Sequence, residues 1–317
     1  MLMSEESTST CTSEDMSSNR APSVASVESF LNHLAVPENQ SMMDLQLQRM
    51  KAWNENILRT LTPDKGKSMT SDVVRLIFYM CEKFRVTDLV RYHAIEIHDR
   101  FMEALNKDVA NITRDFSEAR RKDYEEYLIS KFALRVATCI QLASKTVGRV
   151  AAVTSKEIRS VLFRMGFDEN CDSILRSELK VLKLISHNLN VLTPLEVVEF
   201  VLMLVGLEKS EYRKLYSLCV AIIDVVYLLK FDMYHCYRKK AAREKPHIVN
   251  LTDFHRKEND YFLLAGAITQ CAMIIQCCNT SETNLKLSML GSLTGIDVQE
   301  IASLSQCIAN FLIDRPV

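Results

Sequence analysis

The sequence predicts an all-α protein made of two successive five-helix units, preceded by a disordered N-terminal tail. Three observations carry that prediction. Only 7 Gly and 6 Pro punctuate 317 residues, too few for turn-dense β sandwiches, Rossmann folds or phosphate-cradling loops. Apolar residues make up 48% of the chain and recur at helical spacing. Two helical segments, Tyr127 to Lys145 over its KFALRVATCIQLASK run (131–145) and Tyr261 to Ile275, are apolar almost all round, as befits helices enclosed by their neighbours.

Residues 1–41 are rich in Ser, Thr and acids and cannot bury enough apolar surface to offset the entropy of ordering. Within them, Ser29 to Leu34 has the pattern of a short amphipathic helix. A leading helix is expected over 42–61, where Leu45, Leu47, Met50, Trp53, Ile57 and Leu61 recur until Thr62-Pro63 ends it. Gly66-Lys67-Ser68 resembles the end of a phosphate-binding loop, but Leu61 occupies the first glycine position and no strand precedes it.

Ser71 or Asp72 is expected to cap a helix with Val73, Ile77, Met80 and Phe84 on one stripe, and another starts at Asp88 with Val90, Ala94, Ile97, Phe101 and Leu105. A polar stretch, Asn106 to Glu126, then leads to the first enclosed helix, Tyr127 to Lys145. Thr154 and Glu157 form a capping box for a helix ending near Gly166. Asn170 to Ser186 follows, with Leu175, Leu182 and Ile185 on one side. These elements make residues 42–191 the leading helix and first domain. Pro194 opens a second series over 194–205, 210–237, 260–278, 283–291 and 296–313, so 192–317 is a second domain on the same plan. Its long polar connection, Arg238 to Asn259, falls where the first one fell.

With 39 Lys plus Arg against 40 Asp plus Glu, the chain offers a polyanion no global field, and direct nucleic-acid binding is not expected. No apolar run reaches the ~20 residues needed to span a bilayer, and the acidic, hydroxyl-rich start is unlike a secretory signal. The 10 Cys contain no CxxC pair and are expected to be reduced core thiols. None of the 7 His stands in an HExxH or zinc-spaced set, and His235-Cys236 lacks a nameable orienting group. Neither an enzyme activity, nor a metal, nor a cofactor is expected.

The helix plan, with specific residues, resembles cyclins. HAIEIHDRFM (93–102) resembles the second helix of the cyclin box, CIQLASK (139–145) the end of its central helix, and LRSELKVLKLISHNL (175–189) its fifth. The resemblance covers residues 70–310, including two long polar insertions, and is strongest to meiotic cyclin-like members. It implies a non-catalytic, nuclear regulator on meiotic chromosomes that promotes crossover maturation. The implied partner is a cyclin-dependent kinase resembling the second of that family, with clamp-loader and crossover factors as further partners. By resemblance, Lys145 and Glu178 face the kinase, Leu142, Leu182 and Leu189 add apolar contacts, and Asp99 is structural. The usual Met-Arg-Ala-Ile-Leu motif, whose Arg pairs with that Asp, is replaced by Met69-Thr70-Ser71-Asp72-Val73. Asp99 must then find another partner, and substrate docking of that kind loses its motif. Thr62-Pro63-Asp64-Lys65 fits a proline-directed phosphosite, and Arg238, Lys239 and Lys240 a nuclear-entry signal. A cyclin-shaped scaffold that recruits recombination or clamp-loading factors without activating a kinase is the alternative reading.

Overall fold

The structure is a computed structural model, and it describes residues 37–147, 151–244, 251–276 and 288–314. The expected tail lies, over 1–36 and with it Ser29 to Leu34, outside the described residues. Helix α1 runs Pro37–Arg59, so the leading helix starts five residues before the expected position 42. No strand occurs among the described residues.

In the first lobe α2 (Ser71–Phe84), α3 (Asp88–Ile112), α4 (Glu118–Ser130), α5 (Phe132–Val147), α6 (Ser155–Arg164) and α7 (Cys171–Leu184) follow in order. Side-chain oxygens of Thr70, Thr87, Ser117, Thr154 and Asn170 accept from the first-turn N–H groups of α2, α3, α4, α6 and α7, satisfying donors that have no partner within the helix. The cap of α2 is thus Thr70, one residue before the two expected, while the Thr154–Glu157 capping box forms as expected. Every residue from Ala133 to Ser144 is buried, and α5 touches α2, α3, α4, α6 and α7. That is the enclosed position its all-round apolar sequence demanded.

The stretch Asn106 to Glu126 is not a plain loop, and Tyr127 to Lys145 is not one helix. α3 continues to Ile112, and α4 stands on the surface with no buried residue. Its stability is local: Arg120 lies 4.1 Å over the Phe116 ring and Tyr124 packs edge-on against Phe116. The N–H of Lys131 turns back to Tyr127 and Leu128, and its carbonyl starts α5, which breaks the segment there.

In the second lobe come α8 (Pro194–Leu204), α9 (Lys209–Glu244), α10 (Leu251–Glu258), α11 (Tyr261–Ile275), a helical stretch described over 288–294 (α12) and α13 (Val298–Asp314). α11 is buried from Tyr261 to Met273 and touches α1, α8, α9 and α13, repeating the role of α5. A Cβ on Gly266 would come within 3.2 Å of Ile301 Cδ1, so the glycine lets α13 lie close. α9 is two helices joined at a kink, where Leu229 is non-helical (φ −116°, ψ 15°) and the Ser71 hydroxyl donates to the Leu228 carbonyl at 2.6 Å. Helix continues through Arg238, Lys239 and Lys240 to Glu244, and α10 takes up Leu251–Glu258. The basic residues therefore sit on a helix end and not on the expected loop.

The lobes meet through α2 on α9 and α3 on α8, around a buried polar network. Arg91 and the Tyr92 hydroxyl both reach Asp224, at 3.0 and 2.7 Å. Tyr92 stacks on Tyr227, whose hydroxyl donates to Glu96.

Among the described residues no helix is long and apolar enough to cross a membrane. Cys81, Cys139, Cys219, Cys271 and Cys307 are buried free thiols, whereas Cys171 and Cys236 are exposed, against the expectation of core positions for all.

Candidate functional site

Helices α5 and α7 are held in register by buried hydrogen bonds. The Arg135 guanidinium donates to Ser177 Oγ at 2.9 Å, the Thr138 and Ser177 hydroxyls hydrogen-bond at 2.7 Å, and Lys131 pairs with Glu169 at the start of both helices. That register brings the C-terminal end of α5 beside the middle of α7. There Lys145 Nζ meets Glu178 Oε1 at 2.5 Å, with the two side chains 41% and 15% exposed. The pair also suits the helix, since an ammonium at a C-terminus complements its dipole. Ser144 beside it donates to the Gln141 carbonyl and accepts from the Val153 N–H, tying the end of α5 to the approach to α6.

The surroundings of this pair are apolar, though not as the sequence suggested. The buried stripe of α7 is Ile174, Ser177, Val181 and Ile185, and Leu175, expected on that side, is 51% exposed. Leu175, Leu179 (55% exposed) and half-buried Leu182 form a second stripe at i, i+4 and i+7 on the solvent side. Leu142 is 2% exposed, so it supports the face from beneath and presents no contact surface. Leu189 is half-buried beyond the end of α7, past a turn in which Ser186 and His187 both take positive φ (54° and 57°). Left-handed backbone costs an L-residue about 1 to 2 kcal/mol. Here it is held by the His187 N–H on the Leu182 carbonyl and by Arg100 on the Asn188 carbonyl.

Asp99 is buried, and its partner comes from the segment between α1 and α2. Lys65 Nζ reaches Asp99 Oδ2 at 2.6 Å and Glu96 Oε2 at 3.0 Å, and the Gly66 N–H points at both Asp99 oxygens. Gly66 takes φ +82° to do so, a conformation glycine adopts freely. Burial alone would raise the Glu96 carboxyl. Lys65, the Tyr261 hydroxyl and Lys230 outweigh it and hold the group down to about 2. Thr62, read as a phosphosite, is only half accessible, and its hydroxyl oxygen is enclosed. In this conformation a kinase has no access to it.

Residues 40–190 match the cyclin N-terminal domain family. The first lobe is therefore a cyclin-like domain. The chain is 28% identical over 296 residues to the human cyclin N-terminal domain-containing protein 1, covering 86% of this chain and 88% of that protein. The mouse protein of the same name is 29% identical over 266 residues, covering 80% and 78%. The fold is also that of a viral cyclin from herpesvirus saimiri, with a TM-score of 0.55 at 11% identity, covering 84% of this chain and 96% of that one.

Cyclins are regulatory and carry no catalytic residues of their own, and the family generally binds cyclin-dependent kinases. Of the residues that the cyclin resemblance pointed to, the structure brings Lys145, Glu178 and Leu182 onto one surface, with Leu142 below it and Leu189 at its edge. Arg238, Lys239 and Lys240 lie apart from this surface, on the second lobe. Sequence reasoning missed Leu175 and Leu179 as surface residues. Their signal was present, because α7 has more leucines than one core stripe can use. It also missed Lys65 as the partner of Asp99, a contact across 34 residues for which local spacing gives no sign.

Proposed function

We propose that this cyclin-like protein is a non-catalytic regulatory subunit that binds a cyclin-dependent kinase, one resembling the second of that family, through its first lobe. The observation that carries the reading is the Lys145–Glu178 pair standing among exposed Leu175 and Leu179 and half-buried Leu182. An ammonium can bond backbone carbonyls and a carboxylate can accept N–H groups, and leucines that leave water add the apolar core of an interface. Binding the active arrangement of the kinase more tightly than the inactive one shifts the kinase population toward activity. All groups that touch ATP belong to the kinase. The further reading, that the protein acts in the nucleus on meiotic chromosomes and promotes crossover maturation, is supported by the cyclin resemblance over residues 70–310 and its two insertions.

The test is co-expression with the kinase and co-purification of wild type, Lys145→Glu, Glu178→Lys and the double exchange. The pair is partly exposed and worth under about 1 kcal/mol to the fold, so all four chains stay folded. Loss of a desolvated interfacial charge costs about 2 to 5 kcal/mol, enough to remove both single variants from the complex. The double exchange re-forms the internal pair and still fails to bind if the pair meets a partner, whereas rescue by it would reduce the pair to a structural role.

A cyclin-shaped scaffold for recombination or clamp-loading factors is favoured by one observation. Thr70 is spent on capping α2 in place of the docking motif of other cyclins. A wild-type chain that captures such factors but no kinase in the same co-purification decides for the scaffold.

A further inference from the structure

The segment 60–70, a strap across the junction of the lobes, has no part in the kinase-facing reading. It is anchored at three points: Lys65 on Glu96 and Asp99, the Gly66 N–H on Asp99, and the Thr62 carbonyl, which accepts from His255 Nε2 at 2.9 Å. The Thr62 hydroxyl is enclosed with no hydrogen-bond partner among the described residues, while Pro63 and Asp64 next to it are exposed. An enclosed, unpaired hydroxyl gains nothing from its place, so moving it into water is favoured. Of the 6 prolines two follow a hydroxyl residue. The other, Pro194, follows Thr193, which is fully buried, caps α8 and lacks a basic residue three positions on.

Beside the strap lies a cleft of about 490 Å³ between residues 63–71, the kinked part of α9 and α10. Lys67, Lys230, Arg238 and His255 line it together with Lys65, and Asp232 and Glu258 are its carboxylates. Burial, aided by the nearby Lys65 ammonium and opposed by Glu96, Asp99 and Glu258, draws the Lys230 ammonium below the ordinary lysine range. Its Nζ lies 3.9 Å from where a Cβ of Gly66 would stand, directly at the strap. Lys67 is two-thirds exposed, and Arg238 turns to the His235 ring at 3.1 Å.

We propose that Thr62 is a phosphorylation site for a proline-directed kinase, and that the cleft lined by Lys67, Lys230, Arg238 and His255 receives the phosphate. The kinase acts when the strap lifts. Thr62 Oγ attacks the γ-phosphorus of ATP, the bond from that phosphorus to the β,γ-bridging oxygen breaks, ADP leaves, and the hydroxyl proton passes to the kinase's base. The product carries close to two negative charges and three strong acceptors, which no longer fit the enclosed position. Free phosphate enters such a cleft only weakly, since Asp232 and Glu258 offset part of its positive charge and Lys65 is already paired with Glu96 and Asp99. A phosphate tethered to the neighbouring residue needs less, because tethering raises its effective concentration to the millimolar range. Lifting the strap also withdraws Lys65 from Glu96 and Asp99, so modification loosens the lobe junction. This proposal rests on the strap and cleft alone and stands or falls independently of the kinase-facing surface.

The test uses the full chain with a purified proline-directed kinase and Mg-ATP, with sites mapped by mass spectrometry. Wild type is expected to take up phosphate at Thr62 and none at Thr193, about tenfold more slowly than a free peptide of residues 58–68, since only the opened strap reacts. Lys65→Met is expected to react faster and Thr62→Val to take up none at that site. By phosphorus NMR, the phosphate of the folded protein is expected to lose its second proton about half a pH unit or more below the value in urea, as nearby cations require. Lys230→Gln with Arg238→Gln is expected to abolish that difference. If wild type takes up no phosphate at Thr62 while the peptide does, the modification site is wrong. If the phosphate titrates alike in folded and unfolded protein, the cleft does not receive it.

Discussion

His98 shows what one buried side chain can impose. It is fully buried among Phe101 and Phe132, neither ring nitrogen has a partner among the described residues, and burial holds its pKa at about 4. The folded state therefore keeps this imidazole neutral, while the unfolded chain binds a proton near 6.5. A depressed histidine contributes stability that is complete above about 6.5 and is lost as pH falls toward 4. Urea titrations at pH 7.5 and 4.5 are expected to differ on the order of 3 kcal/mol from this residue. His98→Leu is expected to remove that part of the difference, and an unchanged slope in this window would show that the ring is charged or hydrated. At the same scale lies the lesson of the site. Lys145 and Glu178 were legible because they stand in motifs that resemble cyclins, whereas the exposure of Leu175 and the burial of Leu142 were not. A leucine's spacing says that it lies on a stripe, and only packing decides which stripe faces the core.

Helices were legible where one residue type does one job. The two central helices, α5 and α11, announced themselves because a helix buried on all sides must be apolar on all sides. α4 was not legible, since it buries nothing and is held by the Ser117 cap and by Arg120 and Tyr124 on Phe116. Its sequence lacks the apolar period by which helices are recognised. α8 stands between these cases. Its apolar run was plain, but its start depends on the Thr193–Glu196 capping box, in which Thr193 Oγ1 accepts from the Glu196 N–H and Glu196 accepts from the Thr193 N–H. Thr193 has no exposure at all, so a lost cap cannot be replaced by water. Thr193→Ala is expected to cost about 2 kcal/mol, the upper end for such caps, and Thr193→Ser well under half of that, read from urea midpoints at constant slope.

Across the whole molecule the repeated plan was visible in the sequence, but the joint between the two lobes was not, because its members come from residues 65, 91–99, 224–227 and 261. Glu96 is its centre: it accepts from Lys65 and Tyr227 and lies beside the Tyr261 hydroxyl. Its carboxyl is depressed to about 2 against about 4.3 in an unfolded chain. A depressed carboxylate gives stability that is present above the unfolded value and lost as pH falls toward the folded one. Acid should therefore attack the joint below about pH 4.3, a window lower than that of His98. Lys65→Met tests the joint at neutral pH. It leaves Glu96 and Asp99 buried without the ammonium that pairs with both, a change that typically costs about 3 to 5 kcal/mol. Because Lys65 sits on the strap, Glu96 on the first lobe and Tyr227 and Tyr261 on the second, the loss falls on the coupling between lobes more than on either core. Scanning calorimetry of wild type is expected to show one transition, and Lys65→Met two, with the first at lower temperature. A single transition merely shifted downward in Lys65→Met would mean that the apolar contacts of α2 with α9 and α3 with α8 hold the lobes together by themselves.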